Sequence, residues 1–140
     1  MPENSHSTAT VSEIVVFDTS VLIDDLRTGC HQSKIQSVTG LIRTSAVVLA
    51  ELWRGASRPQ ERQFLHRVGR NHPILTPTEK NWLESGQILA AMRTHRRLTA
   101  EKLRNLHFDV LIALTVRSYG ARLITSDRED FEMISRYAKF

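Results

Sequence analysis

Four carboxylates stand in surroundings that solvent exposure does not explain. Asp18 ends the run I-V-V-F-D, Glu51 lies inside A-V-V-L-A-E-L-W-R-G, Asp109 inside L-H-F-D-V-L-I-A-L-T-V, and Asp127 closes L-I-T-S-D. Brought close together, four bare anions are untenable, because mutual repulsion and lost hydration would protonate some of them. A divalent cation removes that conflict. An all-oxygen, carboxylate-rich set suits Mg2+ or Mn2+, and the neighbouring hydroxyls of Thr19, Ser20, Thr125 and Ser126 can hydrogen-bond the remaining lone pairs. An ion held in this way activates water and neutralises charge developing on a phosphodiester.

Each acid also has a plainer reading. Asp18 can cap the helix that follows it, and Asp127 can favour the dipole of the helix begun by Ser126. Asp109 can do the same at the start of its own helix. Glu51 resists such an account: it lies three and four residues beyond Val48 and Val47, next to Leu52, on an apolar face where acids are seldom buried without a partner. Asp24, Asp25, Glu79, Glu84 and Glu129 fit wet faces or first turns. Asp130 is ambiguous, close to Asp127 yet followed by Phe131. His31, His66, His72, His95 and His107 lack H-E-x-x-H spacing, so zinc is not expected. Trp53 and Trp82 sit at helical core spacing and are expected to pack. The absence of G-x-x-x-x-G-K-[ST] and G-x-S-x-G motifs removes the usual P-loop and serine-hydrolase readings.

For these acids to meet, the elements must bring them to one edge. Residues 14–17 form a short strand, and Asp18-Thr19-Ser20 opens a helix that stops near Gly29, with Asp24, Asp25 and Arg27 on its wet side. A weak helix is expected between His31 and Gly40, then a second strand over 41–44 and a helix over 46–55 capped by Ser45. Ser57-Arg58-Pro59-Gln60 and Thr76-Pro77-Thr78-Glu79 have capping-box form, with a third strand over 73–76 between the helices they open. The second of these helices carries Trp82, Leu89 and Met92 on one stripe. Residues 106–119 read as a central buried helix, 121–125 as a fourth strand, Ser126-Asp127-Arg128-Glu129 as another box, and 136–140 as a last edge strand. Alternating strands and helices imply a parallel sheet with helices on both faces, and right-handed crossovers send every strand-to-helix turn to one edge. Ligands of open α/β sheets bind at that edge.

The 140 residues suffice for one domain with its own core, and the apolar runs at 46–50 and 110–114 are too short to cross a bilayer. Residues 1–13 read as a flexible polar lead-in without a signal-peptide pattern, and 14–140 as the single domain. The lone Cys30 excludes an internal disulfide and fits a reducing cytoplasm. Net charge is +4, and 15 of the 19 basic residues are Arg, whose guanidinium forks onto phosphate oxygens. A polyanion, nucleic acid first, is the expected partner.

Taken in order, V-V-F-D-T-S-V-L-I, S-A-V-V-L-A-E-L-W-R-G, F-D-V-L-I-A-L-T-V and L-I-T-S-D-R-E-D-F resemble the motifs of PIN-domain ribonucleases, and within that family the VapC-type toxins of type II toxin-antitoxin systems. The resemblance runs from Ile14 to Ile134. It implies a PIN-like three-layer α/β/α fold with a short, mostly parallel central sheet, and Asp18, Glu51, Asp109 and Asp127 as the catalytic and metal-holding quartet. It further implies a Mg2+- or Mn2+-dependent endoribonuclease that cleaves cellular RNA and inhibits translation. The implied partners are a cognate antitoxin and a second copy of the chain, a homodimer, both expected on the apolar outer surface of the early helices. Three features depart from the family pattern: the lead-in before Ile14 is long, Leu114, Thr115 and Val116 replace small residues, and Ser126 stands where Asn or Arg is frequent. An aspartyl-phosphate phosphatase would want a second Asp two residues beyond Asp18, where Ser20 stands. A catalytically inactive RNA-binding or partner-binding module of the same fold would have no need of four mutually repelling acids.

Overall fold

β1 (Ile14–Phe17) lies inside the sheet with a parallel neighbour on each side, which is why Val15, Val16 and Phe17 are all buried. The computed structural model describes residues 13–29 and 40–140. Within them β1 is followed by α1 (Thr19–Thr28), β2 (Leu41–Ser45), α2 (Ala46–Gly55), α3 (Pro59–Asn71), β3 (Ile74–Leu75), α4 (Glu79–Arg96), α5 (Ala100–Ser118), β4 (Arg122–Ile124) and α6 (Arg128–Ser135). The strands run in the order β3-β2-β1-β4, and every pairing is parallel. Val16 sits opposite Arg43 of β2 and Leu123 of β4. This is the α/β/α arrangement expected of a PIN-like chain, with a fully parallel sheet among the described residues.

Side chains alternate across the sheet, so β1 serves two cores. Val16 joins the larger one, built with Val48 and Leu52 of α2, Leu65 of α3, Met92 of α4, Phe131 and Ile134 of α6 and the apolar run of α5. Val15 and Phe17 point the other way, against Val21 of α1, with Ile42 and Ile124 packed alongside. Helix α5 is the centre of the larger core: residues 110–116 are buried without a break. Each Leu or Ile enclosed there contributes roughly 1.5–3 kcal/mol of hydrophobic stabilisation. The bidentate pair of Arg117 with Glu84 joins α5 to α4 at the protein surface.

Several boundaries differ from expectation, each for a local reason. Helix α5 starts at Ala100 rather than near 106, because the Thr99 hydroxyl accepts the Lys102 N–H at 3.1 Å and caps it there. The capping boxes close one or two positions later than their sequence form suggests. Glu61, not Gln60, accepts the Arg58 N–H at 3.0 Å, and Thr78 pairs with Asn81 rather than Thr76 with Glu79. Asp127, not Ser126, occupies the N-cap position of α6. Residues 136–140 make no strand. The chain curls back at the end of α6, where the N–H groups of Tyr137 and Ala138 both donate to the Ile134 carbonyl, at 2.9 and 3.0 Å.

The two tryptophans are also a correction. Trp53 is 37% and Trp82 50% exposed, each set edge-on to a histidine, His66 and His107 respectively. The buried stripe of α4 is Asn81, Ser85, Ile88 and Met92, and Trp82 lies one position off it. Asp24 and Asp25 are half-buried rather than on a wet side. The weak helix expected from His31, the lead-in up to residue 12, and Cys30 lie outside the described residues. Among the described residues, no helix is long and apolar enough to cross a membrane.

Candidate active site

Asp18 sits at the carboxyl end of β1 and is buried. Its N–H donates to the Ile124 carbonyl at 2.8 Å, which extends the β1–β4 pairing by one rung and fixes the residue between the two strand ends. Although Asp18 holds the N-cap position of α1, its side chain makes no capping hydrogen bond. Instead Oδ2 accepts the Ser20 hydroxyl at 2.9 Å and the Thr125 hydroxyl at 2.8 Å. Oδ1 is buried and has no hydrogen-bond partner. The plain capping reading of this residue is therefore replaced by an acid held from one side, with the other oxygen left open.

Glu51 and Asp109 reach the same place from two helices. Ser45 caps α2, accepting the Val47 and Val48 N–H groups at 3.1 and 3.4 Å, and so orients the helix that carries Glu51. Glu51 Oε1 accepts the Thr19 hydroxyl at 2.9 Å. Burial pushes its carboxyl above the ordinary range, the Thr19 hydrogen bond opposes that, and the charge of Asp18 adds to it. Asp109 lies in the middle of α5, far from either helix end, so the helix-start reading does not apply to it. Its carboxyl is pushed up to about 8, first by burial and then by the charges of Asp18, Glu51, Asp127 and Asp130.

Asp127 follows β4 and is half-buried. Its N–H donates to Thr125 Oγ1 at 2.9 Å, so a single threonine hydroxyl bridges the Asp127 backbone and the Asp18 side chain. Burial, and then the neighbouring charge of Asp130, raise its carboxyl as well. Carboxylate oxygens of Asp109, Asp127 and Asp130 lie within 4.8 Å of one another, a spacing that can hold a metal ion. Asp130, ambiguous in sequence, thus stands beside the quartet, where Lys102 Nζ grips its two oxygens at 3.1 and 3.2 Å. Ser126 takes part through its backbone, donating its N–H to Ser20 Oγ at 3.1 Å.

The structure gathers all four sequence-nominated acids, each of the others acting electrostatically on Asp109. Thr19, Ser20 and Thr125 hydrogen-bond the acids directly or, for Ser20 and Thr125, join one another's network at 3.4 Å. A donor set made only of oxygens, a buried carboxylate oxygen with no partner and three carboxylates at ligand spacing fit a hard divalent cation. Lys102 was not singled out by sequence, because its partner lies 28 residues away and no local spacing connects them.

An open parallel sheet with an acid cup at the carboxyl ends of its strands defines a class of α/β proteins that act on ligands at that edge. The PIN domain profile matches residues 15–138, and the chain belongs to the PIN domain family. No curated protein matches the sequence. Among solved structures, the fold is similar to a chain of VapBC2 from Rickettsia felis, determined bound to a DNA fragment from its promoter. That chain is 17% identical with a TM-score of 0.63, the likeness covering 86% of this chain and 92% of that one. It is also similar to a chain of a toxin-antitoxin complex from Klebsiella pneumoniae at 22% identity and a TM-score of 0.57, over 84% and 89% of the two chains.

Proposed function

We propose that this protein is a VapC-type toxin: a Mg2+- or Mn2+-dependent endoribonuclease that cleaves cellular RNA in the cytoplasm, inhibits translation and is neutralised by a cognate antitoxin. The observation that carries this reading is the buried, unpartnered Oδ1 of Asp18 beside Asp109, whose carboxyl is pushed up to about 8 first by burial and then by the surrounding acids. Carboxylates so placed repel one another unless a cation joins them, and a module without catalysis gains nothing from the repulsion. Likeness in fold to chains of toxin-antitoxin complexes, and the PIN family membership, support the same reading.

Asp109, Asp127 and Asp130, whose carboxylates stand at ligand spacing, would hold the ion together with Asp18 and Glu51. When bound, the ion supplies an activated water and neutralises charge on the phosphodiester. Ser20 and Thr125 fix Asp18 Oδ2, leaving Oδ1 as the oxygen available to the ion, and Thr19 fixes one oxygen of Glu51. These hydroxyls keep the acids oriented so that little reorganisation is needed when the ion and substrate arrive.

A cleft of about 70 Å3 between α1, α2 and α3, lined by Ile23, Leu26, Leu52, Ala56 and Leu65 together with Arg27, Glu51 and Glu61, would take one anchoring side chain of the antitoxin beside the acids. A homodimer would use surface elsewhere: Trp82 and Leu83 on α4 are 50% and 66% exposed, whereas Leu22, Ile23 and Leu26 of α1 are half-buried. Incubating the purified protein with RNA and Mn2+ tests the nuclease, with EDTA, Asp18→Asn and Asp109→Asn as controls. Cleavage that survives in both variants would remove the proposed site.

A further inference from the structure

We propose that Arg54 and Lys102 are positioning residues that carry the substrate backbone across the acidic cup, one phosphate on each. The inference rests on the nuclease reading above and deepens it by assigning the path of the RNA strand. Lys102 stands at one end of the cup. It lies seven residues before Asp109 on α5, on the same helix face, and its ammonium sits between the two oxygens of Asp130 at 3.1 and 3.2 Å. Its side chain is 42% exposed, so an ion pair of this kind adds little to stability and leaves the ammonium within reach of a ligand.

Arg54 stands at the other end. It lies three residues beyond Glu51 on α2, its charge acts on Glu51, and its guanidinium carbon is 5.1 Å from the centre of the Phe108 ring, next in sequence to Asp109. Stacking on an aromatic face holds the planar fork ready for a phosphate while leaving the arginine exposed. Asp109 is tied to both: its carboxylate lies within 4.8 Å of that of Asp130, which Lys102 grips, and it follows Phe108, on which Arg54 stacks. A polyanion entering a cup of five acids meets repulsion throughout unless cations flank the reacting position. The two basic side chains supply that flank on both sides, with Asp130 keeping Lys102 in place until a phosphate takes it over.

The test is fluorescence anisotropy of a fluorescein-labelled single-stranded oligoribonucleotide in EDTA, read as log affinity against log salt, beside Mn2+ calorimetry and steady-state cleavage kinetics. Arg54→Gln and Lys102→Gln should each weaken binding about 5- to 10-fold and flatten the salt slope by about 0.7, the double variant by about 1.4. Arg54→Lys and Lys102→Arg should recover most of the slope. In cleavage KM should rise more than kcat falls, and Mn2+ should bind Lys102→Gln at least as tightly as the parent, because a competing cation has left Asp130. Wild-type slopes in both Gln variants of a protein that cleaves RNA would overturn this inference and leave the nuclease standing. Weakened Mn2+ binding at an unchanged slope would also overturn it, marking the two side chains as mere supports for the acids. A parent protein that neither binds nor cuts RNA would overturn both.

Discussion

Thr125 and Asp18, 107 positions apart in the chain, are joined by a 2.8 Å hydrogen bond from the threonine hydroxyl to Oδ2 of the acid. The same hydroxyl accepts the Asp127 N–H at 2.9 Å, so one oxygen sets both the first and the last acid of the quartet. Thr125→Val keeps the shape and removes the oxygen. It should lower Mn2+ affinity or RNA cleavage about 10–100-fold, the usual cost of losing a group that orients a metal ligand, and stability by about 1 kcal/mol. Calorimetric titration with Mn2+ reads the first, denaturant unfolding the second, and affinity equal to wild type would show that Asp18 is oriented without Thr125.

Asp109 makes stability depend on pH in the metal-free protein. Its carboxyl keeps a proton up to about 8 in the fold, whereas the unfolded chain releases it near 3.8. Between these values the native state holds more protons than the unfolded one. The contribution is therefore fully present below about pH 4 and is lost as pH rises toward 8. Asp109→Asn should be more stable than wild type at pH 8 in EDTA, the gap closing at pH 4, as read by thermal unfolding. Parallel pH curves for the two proteins would contradict the placement of Asp109 among the other acids.

Thr19 tunes Glu51. Its hydroxyl, 2.9 Å from Oε1, opposes the upward push of burial on that carboxyl. In Thr19→Val the Glu51 carboxyl should titrate at higher pH than in wild type, and Mn2+ binding should weaken most on the acid side, where the proton competes. Carboxyl carbon NMR of selectively labelled Glu follows the titration directly; a downward or absent displacement would count against the hydrogen bond.

Gly40 lies at the entrance of β2 with φ at 131°, and a Cβ there would approach the Glu13 carbonyl oxygen to 2.5 Å. That carbonyl accepts the Leu41 N–H at 2.8 Å in the first rung between β1 and β2. Gly40→Ala should cost about 1–3 kcal/mol of stability by combining a left-handed φ with a backbone clash. Denaturant unfolding checks it, and a loss of a few tenths would show that the rung shifts freely.

The acids and their hydroxyl neighbours were legible because each stands at a change of period or inside an apolar run, where a charge has no local purpose. Glu51 among Val47, Val48 and Leu52 is the clearest example. What escaped was whatever depends on rotation or on distant partners. Spacing placed Trp82 on a stripe but did not fix which stripe of α4 faces α5, and the true one begins at Asn81, a polar residue that is buried because it serves Thr78 and Ser118. The start of α5 was missed since residues 100–105 are mostly polar and carry no apolar period, leaving Thr99 as the one signal. Lys102 escaped with it: only the fold brings that helix start beside Asp130.

The sheet order has a temporal meaning. β4 inserts beside β1 rather than beside the strands made just before it, so Asp18 receives its Thr125 hydroxyl and Asp127 only after more than a hundred further residues have been synthesised. A nascent chain still on the ribosome, short of β4, carries an incomplete cup and a bare flank on β1. On the nuclease reading proposed above, a chain still being made presents no complete cup to RNA until its β4 segment has been added.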